Sequence, residues 1–139
     1  MRTKYIDVFA DYIIKYLEAY EAEGIHISAI TPQNEPDVDQ YGKFPACIWN
    51  PDQEAQYIFT LSEKLKAKGM DTDIWFHDHN FNGFRRVGWM LDEYPELKKC
   101  CSSAAFHYYN GCIEMIDGIK EKHPEIHFQF TEGGPRLKD

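Results

Sequence analysis

At 139 residues, 43% hydrophobic and 27% charged, the chain has the composition of a folded, water-soluble protein rather than a disordered segment. Its formal net charge of -8 offers little attraction to phosphate backbones or anionic bilayers, and no run approaches the roughly 18 to 20 apolar residues of a membrane span. Nucleic-acid binding and a membrane span are therefore excluded from the expected functions.

In chain order, Met1-Arg2-Thr3-Lys4 leads into an amphipathic helix with no signal-peptide pattern before it. Tyr5, Phe9, Tyr12, Ile13, Tyr16, Leu17 and Tyr20 recur at helical spacing and predict a helix to Glu23 with these residues on its apolar face; Gly24 stops it. Ile25 to Ile30 reads as a strand ending at Thr31-Pro32. A long loop from Gln33 to Trp49 follows, a length often associated with function. Asn50-Pro51-Asp52-Gln53 opens a second helix, with Asn50 as its cap, Pro51 at its first position and Gln53 three residues after the cap; Gly69 closes it.

Asp73 to His77 is the second strand, running into Asp78-His79-Asn80, and a short helix covers Val87 to Glu93 before Pro95. Ala104 to Tyr108 is the third strand, Ile113 to Lys122 a helix ended by Pro124, and Ile126 to Thr131 the fourth strand. Cys47, Cys100, Cys101 and Cys112 lack CxxC spacing, which argues against structural zinc and for free buried thiols.

Alternating helices and strands predict an α/β architecture of parallel neighbours joined by right-handed crossovers. In such a sheet every strand's C-terminal end lies on one rim, where the active sites of (β/α)8 barrels sit. Glu35, Asp78, His107 with Tyr109, and Glu132 all follow such ends. Period-two spacing turns His107 and Tyr109 to one side and Tyr108 to the other.

Two motifs carry the chemistry: Thr31-Pro32-Gln33-Asn34-Glu35-Pro36 and Phe130-Thr131-Glu132-Gly133-Gly134-Pro135. Each sets one carboxylate at the end of a strand, and two carboxylates at one rim can serve as acid/base and nucleophile in cleaving a glycosidic bond. Asn34 can bond a sugar hydroxyl, and Pro36 stiffens the turn. Apolar walls around Glu35 would keep it protonated as a general acid. Hydrogen bonds from His107 or Tyr109 would support an ionised Glu132, and Gly133-Gly134 would admit substrate close to the backbone.

Two other readings use the same residues. His77 and His79, two apart on a strand, would point the same way and with Glu35, His107 or Glu132 could ligate zinc in a metal-dependent amidohydrolase-like barrel. That scheme leaves the runs around Glu35 and Glu132 without a role. Alternatively, an acidic aromatic rim without catalysis would make a carbohydrate-binding module.

From Leu17-Glu18-Ala19-Tyr20 through Thr31-Pro32-Gln33-Asn34-Glu35-Pro36 to Phe130-Thr131-Glu132-Gly133-Gly134, the chain resembles glycoside hydrolase family 30, the glucosylceramidases (acid β-glucosidases) and related β-glycanases. Asn-Glu-Pro alone is common among barrel glycosidases; the longer run, with a downstream His-aromatic-Tyr and Thr-Glu-Gly, is more specific. The resemblance implies a partial (β/α)8 TIM barrel, with residues 1–139 supplying four parallel strands, equivalent to barrel strands four to seven, and outer helices of the catalytic domain. It implies that Glu35 is the acid/base and Glu132 the nucleophile of a retaining β-glycosidase, with Asn34, Asp78, His107 and Tyr109 binding substrate.

No metal or other cofactor is implied. The partners would be a β-linked glucoside or glycan and the remaining barrel segments of a parent chain. Glucosylceramide-like substrates are the first expectation, with a β-1,6-glucanase or xylanase as the alternative within the family, and a secreted or lysosomal location follows from the same likeness. Four strands cannot close a barrel, so two unpaired edges, little activity and a tendency to aggregate are expected of the chain alone.

Overall fold

The structure, a computed structural model, describes residues 1–43 and 45–134; Pro135, the end of the second motif, lies outside them. Four helices, α1 (Ile6–Ala22), α2 (Pro51–Lys68), α3 (Phe84–Glu93) and α4 (Asp117–Lys122), alternate with four strands, β1 (Ala29–Ile30), β2 (Asp73–Asn80), β3 (Ser103–His107) and β4 (His127–Glu132). The strands form one parallel sheet in the order β1-β2-β3-β4. This is half of a (β/α)8 barrel, with β1 and β4 at its edges. Among the described residues no helix is long and apolar enough to cross a membrane.

Local chemistry accounts for the helices. Asn50 Oδ1 accepts from the Gln53 N–H at 2.8 Å and Gln53 Oε1 accepts from the Asn50 N–H, so both ends of a capping box are in place behind Pro51. On α1 the buried residues are Ile6, Ala10, Ile14 and Leu17. Tyr5, Tyr12, Tyr16 and Tyr20 lie on the exposed side, which corrects the expected apolar face. Small Ala10 lets α1 approach α2 closely, while the tyrosines stay on the water side, the Tyr16 and Tyr20 rings tilted against each other at 4.7 Å.

The other differences are at element ends. β1 keeps only Ala29 and Ile30 of the expected Ile25–Ile30 run, because an edge strand has one neighbour and its ladder to β2 begins at Ala29. The expected helix from Ile113 starts as a 3-10 turn, Ile113–Ile116, before α4. All four cysteines are free, but only Cys101 is buried.

The core lies between the sheet and the helices, where Ile74, Phe76, Ala104 and Phe106 meet Ile58, Leu61, Val87 and Leu91. Two irregularities interrupt this simple layering, both near the C-terminal rim. Between β2 and β3 the register runs Phe76 with Ala104, then His79 with Phe106, so β2 contains one extra residue. Between β3 and β4 it runs Phe106 with Phe130, then His107 with Glu132, leaving Thr131 as the extra residue. A bulge of this kind re-aims every side chain after it.

The β2 bulge is strained: His77 has φ 75° and Asp78 φ 47°, in the left-handed region that non-glycine residues avoid. A buried network holds it. The His77 N–H donates to Glu54 Oε1 at 2.8 Å, and Arg86 donates to Glu54 Oε2 from Nε at 3.0 Å and Nη2 at 2.7 Å. Arg86 Nη2 also reaches the Trp49 carbonyl at 3.0 Å, and Nη1 reaches Asp37. Gly83 completes the seat for the His77 ring, since a Cβ there would stand 2.5 Å from Cε1.

Glu54 is 0% exposed, and burial raises its carboxyl above the usual range in spite of the Arg86 charge and the His77 N–H. Loss of the cation from such a pair costs about 3–5 kcal/mol. Arg86→Met is therefore expected to lower the unfolding free energy by about that amount, measured as a fall in the urea midpoint; a change within about 0.5 kcal/mol would show that the network does not hold the bulge.

Candidate active site

The bulge decides what faces the rim. Trp75 and Asp78 are three residues apart, an odd spacing that in a regular strand puts them on opposite faces. With the extra residue between them, both line one cleft of about 350 Å³, together with Ala29, Ile30, Thr31, Asn34, His107, Thr131 and Glu132. The β4 bulge does the same for Thr131 and Glu132, which are consecutive and yet both line this cleft.

Asp78 is the junction of the site. Thr31 Oγ1 donates to its Oδ2 at 2.6 Å, Thr131 Oγ1 to its Oδ1 at 2.7 Å, and His107 Nε2 donates to Oδ1 at 3.1 Å. Its own carbonyl accepts from the Glu35 N–H at 3.0 Å. One residue thus ties the ends of all four strands and fixes the turn in which Glu35 adopts φ 48°. The carboxyl itself is buried, and burial disfavours its charge. Hydrogen bonds from His107, Thr31 and Thr131 outweigh that and hold its pKa below the usual carboxylate range. Asp78 also sits inside β2, which runs to Asn80, and not after its end at His77 as the sequence reading expects.

His107, the last residue of β3, carries the charge of the site. Its side chain is 1% exposed, with Nδ1 3.2 Å from Glu35 Oε1 and 3.2 Å from Glu132 Oε2. Burial opposes protonation. The bonds to Asp78 and Glu35, with the charges of Asp78 and Glu132, overcome it and raise the His107 pKa above its ordinary value. Protonated His107 donates from Nε2 to Asp78 and from Nδ1 to Glu35, and sets a positive charge beside Glu132.

The two motif glutamates therefore meet. One carboxylate oxygen of Glu35, one of Glu132 and a ring nitrogen of His107 all lie within 4.8 Å of one another. The Glu35 side chain is 15% exposed and that of Glu132 45%. Asn34 lines the cleft beside them. Tyr109 is half-exposed; its ring stands edge-on to His107 at 6.1 Å and does not line the cleft, while its N–H is held by Asn80 Oδ1 at 2.9 Å. Because β3 ends at His107, the period-two reading does not extend to it.

These three groups are the set among the described residues that a single cation could meet, and neither His77 nor His79 belongs to it. The zinc reading required both histidines on one side of β2. The bulge instead packs the His77 ring against Phe106 at 5.0 Å and under Gly83, on the helix side of the sheet. Gly133 also has a different reason from the expected one. At φ 137°, a Cβ there would lie 2.9 Å from Phe130 Cζ and 3.1 Å from Tyr108 Cβ, so protein packing already requires glycine.

Sequence reasoning had missed Thr31, Thr131 and Trp75. The two threonines stand in the motifs themselves, one opening the first and one just before Glu132, and that matched position was the available signal.

Because the His107 pKa is raised, its charge stabilises the fold fully below about pH 6.5, and this contribution is lost as pH rises through the folded value. Asp78→Asn is expected to lower the His107 titration midpoint, read by histidine-ring NMR, and to flatten the decline in stability above about pH 6.5. An unmoved midpoint would mean that Asp78 does not sustain the charge.

Comparison with protein-family profiles finds no match. Among curated proteins, the chain is 40% identical over 133 residues to the endo-1,6-β-D-glucanase of Aspergillus fumigatus, covering 94% of the chain and 26% of that enzyme. It is 37% identical over 150 residues to the putative glucosylceramidase 4 of Caenorhabditis elegans, covering 96% of the chain and 29% of that protein. Among solved structures, an endo-β-1,6-glucanase superposes with TM-score 0.86 at 30% identity over 96% of the chain and 31% of its own. The catalytic domain of a GH30 xylanase from Talaromyces cellulolyticus shares the fold, with TM-score 0.67 at 22% identity over 76% of the chain and 24% of its own. The chain thus spans about a quarter to a third of the length of the proteins it matches.

Proposed function

The chain belongs to glycoside hydrolase family 30, and on that premise we propose that it supplies the catalytic pair of a retaining β-glycosidase, with residues 1–139 forming part of one catalytic barrel domain. The carrying observation is the separation of the carboxylates: the oxygens of Glu35 and Glu132 that flank His107 lie within 4.8 Å. Retaining enzymes hold their two carboxyl groups about 5–5.5 Å apart, and inverting ones about 6.5–9.5 Å to admit a water.

In this reading Glu132 attacks the anomeric carbon while Glu35 passes its proton to the departing glycosidic oxygen. The covalent glycosyl ester on Glu132 is then hydrolysed by a water whose proton returns to Glu35. Protonated His107 stabilises the negative charge of Glu132 before attack, and Asn34 bonds the sugar 2-hydroxyl. Asp78 takes an indirect part: its oxygens are engaged by Thr31, Thr131 and His107, so it orders the rim and sustains the His107 charge. Tyr109 stands beside His107 outside the cleft, so its part is contact with the His107 ring rather than with substrate.

Between the substrates open to the family, the glucanase relatives favour β-1,6-glucan over a glucosylceramide. That reverses the order expected from the motifs alone. Four strands furnish one side of a sugar pocket, so the chain by itself is expected to turn over an aryl β-glucoside feebly at best.

The test uses a complete barrel carrying this segment. A 2-deoxy-2-fluoro glucoside with a good leaving group is expected to leave a glycosyl label on the peptide containing Glu132. Glu35→Gln is expected to cut kcat/KM on β-1,6-glucan by about 10²–10⁴-fold, and less on substrates whose leaving group needs no proton. Label on another residue, or an inverted product, overturns the assignment.

A further inference from the structure

Glu35 Oε1 has a histidine on each side. His107 Nδ1 is at 3.2 Å and His79 Nε2 at 4.0 Å. Each ring is backed by an aspartate: Asp78 Oδ1 lies 3.1 Å from His107 Nε2, and Asp37 Oδ2 lies 3.9 Å from His79 Nδ1. Arg86 Nη1 holds the other oxygen of Asp37. The side chain of His79 is 9% exposed, and its Nδ1 is a buried polar atom without a hydrogen-bond partner. Such atoms are uncommon and call for a reason. The mechanism above gives His79 no role.

The groups that face His79 are Glu35 and Asp37 from the loop after β1, the His77 ring at 5.9 Å on its own strand, and the His107 ring at 6.2 Å on β3. Arg86 on α3 reaches it through Asp37.

We propose that His79 is a positioning residue for Glu35, with its tautomer set by the Arg86–Asp37 pair. Asp37, kept ionised beside the guanidinium, accepts a hydrogen bond from Nδ1–H. The Nε2 lone pair is then turned to Glu35, where it accepts a hydrogen bond from the protonated carboxyl. Both contacts are long here, 3.9 Å to Asp37 and 4.0 Å to Glu35, in keeping with catalytic hydrogen bonds that are long without substrate and tighten with it. The proton remains on Glu35 until a leaving group takes it, and the ring is neither consumed nor oxidised. The same Arg86 that supports the β2 bulge through Glu54 thus orients the acid through Asp37. This role rests on the reading of Glu35 as the acid/base.

Long-range ¹H–¹⁵N spectra of the histidine rings in the ¹⁵N-labelled full chain test it. Neutral His79 is expected as the Nδ1–H tautomer, with two well-separated ring-nitrogen shifts. Asp37→Asn is expected to bring those shifts together as the tautomers mix, with the His107 signals unmoved, whereas Glu35→Gln, which mimics the protonated carboxyl, retains the tautomer. An Nε2–H tautomer, a ring protonated on both nitrogens wherever the chain is folded, or unchanged His79 shifts in Asp37→Asn overturns the proposal. The wild-type spectrum alone decides the tautomer if the variant does not fold. Glycosyl labelling at Glu132 does not read His79, so failure of either reading is distinguishable from failure of the other.

Discussion

Asp78 can reach the cleft only because β2 contains one extra residue, and nearly every feature of the rim follows from that. In an unbroken strand the alternation that buries Phe76 would turn Asp78 outward to the helices. Two consecutive left-handed residues reverse it. Once inside, Asp78 draws Thr31 and Thr131 from the two outer strands and His107 from the neighbouring one, and its carbonyl fixes Glu35. The strain is local, and the buried Glu54–Arg86 pair on the helix side offsets it by capturing the His77 N–H. The geometry of the cleft on one face of the sheet is thus held by an ion pair on the other.

Charge is arranged with the same economy. Glu132 and Asp78 repel one another, and Glu35 adds a third charge once its proton has gone to a leaving group. His107 sits among all three with both ring nitrogens engaged, so each carboxylate interacts with one shared positive charge. This explains why a buried histidine has a raised rather than a lowered pKa, while His77, on the neighbouring strand β2 and with no carboxylate bonded to its ring, is driven down to about 4 by burial. Both rings are closed to solvent, but His77 is set deeper in the protein and His107 has the carboxylate partners.

Helix α2 could be read from Asn50 to Gly69 because its signals are local: a cap, a proline and a terminal glycine act within one turn. The parallel order of the strands was legible for a similar reason, since a helix between two strands leaves little choice of direction. The buried face of α1 was not. Tyrosines and aliphatics share its helical period, and only contact with α2 selects Ala10 and Ile14 over Tyr12 and Tyr16. β1 was overextended because its length depends on a ladder with a partner more than forty residues away.

For the site, the sequence by itself determined the two glutamates, their place at one rim and the histidine between them, because short motifs and a parallel βα order carry that information without long-range contacts. The tertiary structure alone decided that Asp78 faces inward, that His77 leaves the rim, that the paired threonines converge on one carboxylate, and that Arg86 stands behind both Glu54 and Asp37. Those outcomes depend on bulges, and a bulge is a compromise between strand register and a side chain packed from another element. No window of sequence contains both.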